Sequence, residues 1–103
     1  MNIFEEYTKK IKSIIIKNQK FLKLENLNNF KGIVVEIPPT VFDFDLSCNV
    51  ALILGKLNKV NPKELASKIK DLFKKDLIDF DEIEIAGPGF LNLRFNKSSL
   101  III

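Results

Sequence analysis

Apolar residues recur along this chain with two different periods, and the periods divide it into helices and strands. Ile3, Tyr7, Ile11, Ile14 and Ile15 fall at steps of four, four, three and one, with Phe4 beside them. That stripe predicts a helix over residues 2 to about 18. Asn2 is placed to cap it, Glu5 and Glu6 occupy the first turn, and Lys12 and Lys17 come late, matching the helix macrodipole. Residues 21–31 are mixed, with three Asn and no period, and suggest at most a short strand near 21–24. Gly32 then introduces Ile33-Val34-Val35-Glu36-Ile37, a β-branched strand ended by Pro38-Pro39, with Ile33, Val35 and Ile37 sharing one face.

After a turn-prone stretch, residues 40–45, a second helical stripe of Leu46, Val50, Ile53, Leu54 and Leu57 predicts a helix over 46–58, capped by Asp45 or Ser47. Asn61-Pro62-Lys63-Glu64 is a strong helix start: Asn61 as N-cap, Pro62 where its missing N–H costs nothing, and Glu64 at the third helical position. That third helix runs to about Lys75, with Leu65, Ile69, Leu72 and Phe73 inward. The final unit spans residues 80–95, where two alternating runs flank Ala86-Gly87-Pro88-Gly89 and predict an antiparallel hairpin. Parity puts Ile83, Ile85, Leu91, Leu93 and Phe95 on one face and Glu82, Glu84, Phe90, Asn92 and Arg94 on the other. These elements assemble into an α+β fold: a small, mostly antiparallel sheet with about three helices packed on one face.

Composition narrows the chemistry. A chain of 103 residues, 47% hydrophobic and 28% charged, forms one domain, residues 1–103, with a core of its own. Its longest apolar run, Val50 to Leu54, has five residues, far short of the roughly 18 of a membrane span, so no membrane partner is expected. The opening residues Met1-Asn2-Ile3-Phe4-Glu5-Glu6 lack the basic start of a signal peptide, and one cysteine cannot form an internal disulfide. A cytoplasmic monomer is the expectation. With no His and one Cys, the chain has no Ser-His or Cys-His nucleophile pair and no Cys/His zinc cage. No catalytic residue, metal site or cofactor is expected here. Cys48 reads as a small buried side chain. The tail Leu100-Ile101-Ile102-Ile103, behind Ser98-Ser99, reads like the start of a further element, as in a fragment of a longer chain.

The net charge of +3 is unevenly spread. Residues 1–75 carry 14 Lys against 8 acids, whereas residues 76–103 carry Arg94 and Lys97 against five. Lys9, Lys10, Lys17, Lys20 and Lys23 form a basic row that reads first as a solvated face, with a polyanion surface as the alternative. On the hairpin, Phe90, Asn92 and Arg94 place a ring, an amide and a guanidinium at two-residue spacing. A ring can stack on an unpaired base, an amide can read its edge and an arginine can hold phosphate. The same residues also fit a purely structural role, with Arg94 pairing across the strands to Glu82 or Glu84 and Phe90 packing under a helix. Gly87 and Gly89 can bring backbone amides near a phosphate, although a turn explains them as well. The acid pairs Asp43/Asp45, Asp79/Asp81 and Glu82/Glu84 lack a cleft or cation partner in the sequence and read as surface.

Four motifs in order carry a resemblance: Glu36-Ile37-Pro38; Asp45-Leu46-Ser47-Cys48-Asn49-Val50-Ala51 running to Gly55-Lys56; Asn61-Pro62-Lys63-Glu64-Leu65-Ala66; and Glu84-Ile85-Ala86-Gly87-Pro88-Gly89-Phe90-Leu91-Asn92. Together they resemble the N-terminal domain of arginyl-tRNA synthetases over residues 36–95. The resemblance implies an α+β module that precedes the catalytic domain of an ATP-dependent arginine–tRNA ligase. Its partners would be tRNA(Arg), gripped at the outer corner near the dihydrouridine loop, and its own catalytic domain. Family members use an aromatic and a polar residue of the last hairpin to contact a loop base, and those positions fall on Phe90 and Asn92. ATP and arginine would bind elsewhere in the full-length protein, and helix lysines would supply phosphate attraction. One position departs: the family places Gly directly before the Asp that opens the second helix, and this chain has Phe44, so the turn there must differ. The rival expectation is a docking module that folds against its own catalytic domain or another protein and binds no RNA.

Overall fold

Four helices and four strands form in the computed structural model, which describes residues 2–27, 30–39 and 43–96. Helix α1 (Ile3–Lys17) begins as expected, with Asn2 Oδ1 accepting the Glu5 amide at 2.8 Å. It buries Tyr7, Ile11, Ile14 and Ile15. The strand expected near residues 21–24 does not form. Phe21 and Leu22 belong instead to a short helix, α2 (Gln19–Leu22), which stops where Lys23 turns left-handed at φ 56°. A single 3-10 turn (Phe30–Gly32) leads to strand β1, which is only Val35–Glu36. Ile33 and Val35 reach the core, but Ile37 is 70% exposed and leaves the face they share. Pairing ends there because Pro38 and Pro39 have no N–H to donate.

The largest departure from the expected pattern is at Leu46–Cys48, which is strand β2 and not the first turn of a helix. Helix α3 starts later, at Val50–Leu57, after Asn49. Neither Asp45 nor Ser47 caps it. Asp45 Oδ2 accepts the Phe95 amide at 2.9 Å, and Asn49 spends its side chain on the chain before β1, bonding Val34 N and Gly32 O at 2.8 and 3.0 Å. Leu46 and Val50 are spaced alike whether the segment winds or extends, so periodicity could not separate a three-residue strand from a helix start. Cys48 therefore lies in a strand, where it is buried as expected.

Helix α4 (Pro62–Asp76) opens as read, with Asn61 Oδ1 accepting the Lys63 and Glu64 amides at 2.9 and 3.2 Å. Strands β3 (Phe80–Ala86) and β4 (Phe90–Phe95) form the expected hairpin, with Ile83 opposite Leu93 and Ile85 opposite Leu91. An irregularity between Phe80 and Glu82 brings Phe80 to the covered side, stacked on Phe95 at 4.8 Å with Tyr7 edge-on to both rings. The Tyr7 hydroxyl donates to Asp79 at 2.7 Å; burial, then that bond and the Asp79 and Glu6 charges, push its pKa above the ordinary tyrosine value. The antiparallel sheet runs in the order β1-β2-β4-β3, with the helices over one face. The fold is thus α+β, as expected. The tail at residues 97–103 and positions 40–42 of the turn before β2 lie outside the described residues.

Candidate nucleic-acid interface

Register across the uncovered face sets Glu36 beside Ser47, Ser47 beside Asn92 and Asn92 beside Glu84, one polar residue from each strand at the same level. Along β4, Phe90 precedes this row opposite Ala86, and Arg94 follows it opposite Glu82. Ser47 and Asn92 floor a groove of about 370 Å³. One wall comes from Ile37, Pro38 and Pro39 after β1, the other from Ala86, Gly87, Pro88 and Phe90 of the hairpin. That volume lies in the range of small-ligand sites.

Asn92 is only 3% exposed, yet its amide makes no side-chain hydrogen bond among the described residues. No described side-chain nitrogen or oxygen is both fully sealed and unpartnered, so the amide keeps access to the groove opening. An amide held this way loses hydration without a protein partner in return, an arrangement a ligand can complete. Phe90 is half-buried in the wall and does not pack under a helix, which leaves ring surface available for stacking. Glu36 lines the groove and Glu84 stands next to Asn92 across the strand, so the local field opposes phosphate and favours an uncharged, donor-bearing ligand edge.

The remaining hairpin positions are engaged within the protein. Arg94 makes the cross-strand pair with Glu82, donates Nε and Nη2 to the Asp43 carbonyl at 3.0 and 2.8 Å, and reaches Asp43 Oδ2 at 3.3 Å. Its guanidinium also lies 4.9 Å from the Phe44 ring centroid, which is how the turn accommodates a phenylalanine. Gly87 is exposed at φ 55°, a conformation that glycine adopts at no steric cost. Gly89, at φ 147°, is buried, and a Cβ there would come within 3.1 Å of Pro62 Cβ. Its amide donates to Ala86 O at 3.3 Å, closing the turn. The Gly-Pro-Gly tip thus leans on the start of α4 and supplies one end of the groove. Of the acid pairs, Asp43 and Glu82 hold Arg94, Asp45 holds the Phe95 amide and Asp79 holds Tyr7. The described residues contain no group of three or more potential metal ligands. Burial pushes the Cys48 thiol up to about 12, which leaves it protonated and unreactive at neutral pH.

Sequence reading found Phe90 and Asn92 by parity but missed Ser47, hidden in an apparent helix cap, and the proline wall. The basic row belongs to the helical layer, on the other side of the sheet from the groove.

The structure is an α+β sheet with one helix-covered face and one grooved face, the latter bearing a ring and an amide that has no side-chain partner among the described residues. The family model for the arginyl tRNA synthetase N terminal domain matches residues 5–95, and the chain belongs to that family. The resemblance carried by residues 36–95 is borne out and extends through α1. The chain is 41% identical over 95 residues to an arginine–tRNA ligase of Pelagibacter ubique, covering 92% of this chain and 16% of that protein. It is also 41% identical over 98 residues to the arginine–tRNA ligase of Bartonella tribocorum, covering 94% and 16%. A Staphylococcus carnosus arginine–tRNA ligase is 44% identical over 66 residues, covering 64% of this chain and 12% of its own length. The chain spans about 16% of the length of the first two relatives. No helix among the described residues is long and apolar enough to cross a membrane.

Proposed function

We propose that this chain serves as the N-terminal domain of an arginine–tRNA ligase and that its sheet groove takes an unpaired base from the outer corner of tRNA(Arg), near the dihydrouridine loop. Phe90 stacks on the base, and the Asn92 amide hydrogen-bonds its edge. Ser47 adds a hydroxyl beside that edge. Holding the corner of the tRNA orients its acceptor end toward a catalytic domain that binds ATP and arginine elsewhere. The observation that carries this reading is the Asn92 amide, nearly enclosed, without a side-chain partner among the described residues and lining the groove beside an aromatic ring. The exposed turn backbone at Gly87 gives the sugar-phosphate chain a place to pass close by. Phosphate attraction falls to lysines outside the acidic groove, with exposed Lys59 and Lys63 flanking Pro62 at the hairpin tip.

A docking module that binds protein and not RNA is favoured by one observation: Glu36, Asp43, Asp45, Glu82 and Glu84 all gather on or beside the open face. Titrating tRNA(Arg) against the protein over a salt series separates the two. Base capture predicts affinity that falls with salt, and Phe90→Ala or Asn92→Ala each weakening it about 5- to 100-fold, the worth of a lost stack or base contact. Absence of binding at low salt favours the docking module.

A further inference from the structure

Arg94 looks from its position like a phosphate ligand, since it continues the row of Phe90 and Asn92. Its surroundings say otherwise. The guanidinium is a planar fork of five N–H donors, and here the fork is engaged by the Asp43 carbonyl, the Asp43 carboxylate and Glu82. The Phe44 ring lies against it. One positive charge between two carboxylates leaves a net negative neighbourhood, which repels phosphate.

These contacts form part of a larger fastening. Two of the three residues before β2, Asp43 and Asp45, are tied to three successive residues of β4: the Asp45 amide donates to Leu93 O at 2.9 Å, Arg94 grips Asp43, and the Phe95 amide donates to Asp45 Oδ2 at 2.9 Å. The very next residues are Leu46 and Ser47, and Ser47 pairs with Asn92 to make the groove floor. The geometry points to Arg94 as a positioning residue: it clamps the 43–45 turn to β4 and so fixes where β2 delivers Ser47 beside Asn92, without touching RNA itself. The clamp needs the fork and not merely the charge, because two nitrogens converge on one carbonyl oxygen while a third meets Glu82. This inference deepens the base-binding reading and rests on it for the purpose of the clamp, although the clamp can be tested without RNA.

The discriminating variant is Arg94→Lys, which keeps the charge and loses the fork, examined with Arg94→Ala by amide hydrogen exchange and by the salt dependence of tRNA(Arg) binding. A clamp predicts that both variants speed exchange at the Asp45 and Phe95 amides about tenfold or more, while amides in α1 and α4 keep their rates. It also predicts that both weaken RNA binding alike, with the salt slope of the unmodified protein. A phosphate contact predicts the reverse: Arg94→Lys behaves like the unmodified protein, exchange at Asp45 is unchanged, and Arg94→Ala lowers the slope by about one ion. That pattern would overturn the inference. If the protein binds no RNA at any salt, the groove reading fails, and the exchange rates still decide whether Arg94 is a clamp.

Discussion

Strand β4 has two sides that are enclosed to a similar degree and for different reasons. Leu91 and Leu93 point toward the helices and are 0% exposed, packed among apolar side chains that satisfy everything they present. Asn92, between them, points the other way and is nearly as enclosed, yet its amide finds no partner among the described residues. Burial therefore does not tell core from site in this domain. What separates them is whether the enclosed group has its chemistry completed by the protein, which among the described residues the Asn92 amide does not.

The covered side can be broken most severely at its centre. Leu93 pairs with Leu46 on one flank and Ile83 on the other. Leu93→Ala removes buried methyl groups and leaves a cavity that strand pairing prevents from closing, so stability should fall by about 2–5 kcal/mol. Chemical denaturation measures it directly. A loss under about 1 kcal/mol would mean that the helices do not seal this face, and the contrast between the two sides would dissolve.

A second, smaller effect probes the same seal with a proton. Ser47 and Cys48 are neighbours in β2, one on each side of the sheet. Burial holds the Cys48 thiol protonated up to about 12, against an ordinary 9.0. A folded-state value raised above the unfolded one contributes stability that is complete below pH 9 and lost as pH climbs toward 12. The loss is about 1.4 kcal/mol per pH unit once the unfolded thiol is ionised. Tyr7 shifts in the same direction from its ordinary 10.0, so the interval between pH 9 and 10 isolates the thiol. Denaturation midpoints over pH 8–10 should fall more steeply for the unmodified protein than for Cys48→Ala. Parallel slopes would show that water reaches the thiol in the folded protein.

Legibility in the sequence follows the same division. The covered side was readable because its residues repeat with a period: the α1 and α4 stripes, the Asn61-Pro62 start and the hairpin with its inward Ile83, Leu91 and Leu93 all came through. Phe90 and Asn92 were assigned to the open face by parity alone. Ser47 was not, because three extended residues running into a helix carry too little pattern to separate the two conformations. The Arg94–Glu82 pair was one of the cross-strand pairings the sequence offered, but the bonds to Asp43 were hidden, since Asp43 lies 51 positions away and two of them go to its backbone carbonyl, which no side-chain pattern reports. The proline wall of the groove appeared only as a strand terminator.

The mildest change sharpens the comparison most. Asn92→Leu keeps roughly the size of the side chain while replacing an amide that has no side-chain partner among the described residues with an apolar group. Were Asn92 structural, its loss would strip hydrogen bonds from its neighbours and cost stability. The amide instead has no such neighbours among the described residues, so the change should leave stability unaltered or raise it by up to about 1 kcal/mol. The same substitution removes the donor and acceptor proposed to meet the base edge, so on that proposal tRNA(Arg) binding should drop as far as with Asn92→Ala. Stability gained and affinity lost at one position is the signature of a group kept for its ligand. A thermal midpoint that falls by several degrees would instead make Asn92 part of the scaffold, on the same footing as Leu91 and Leu93.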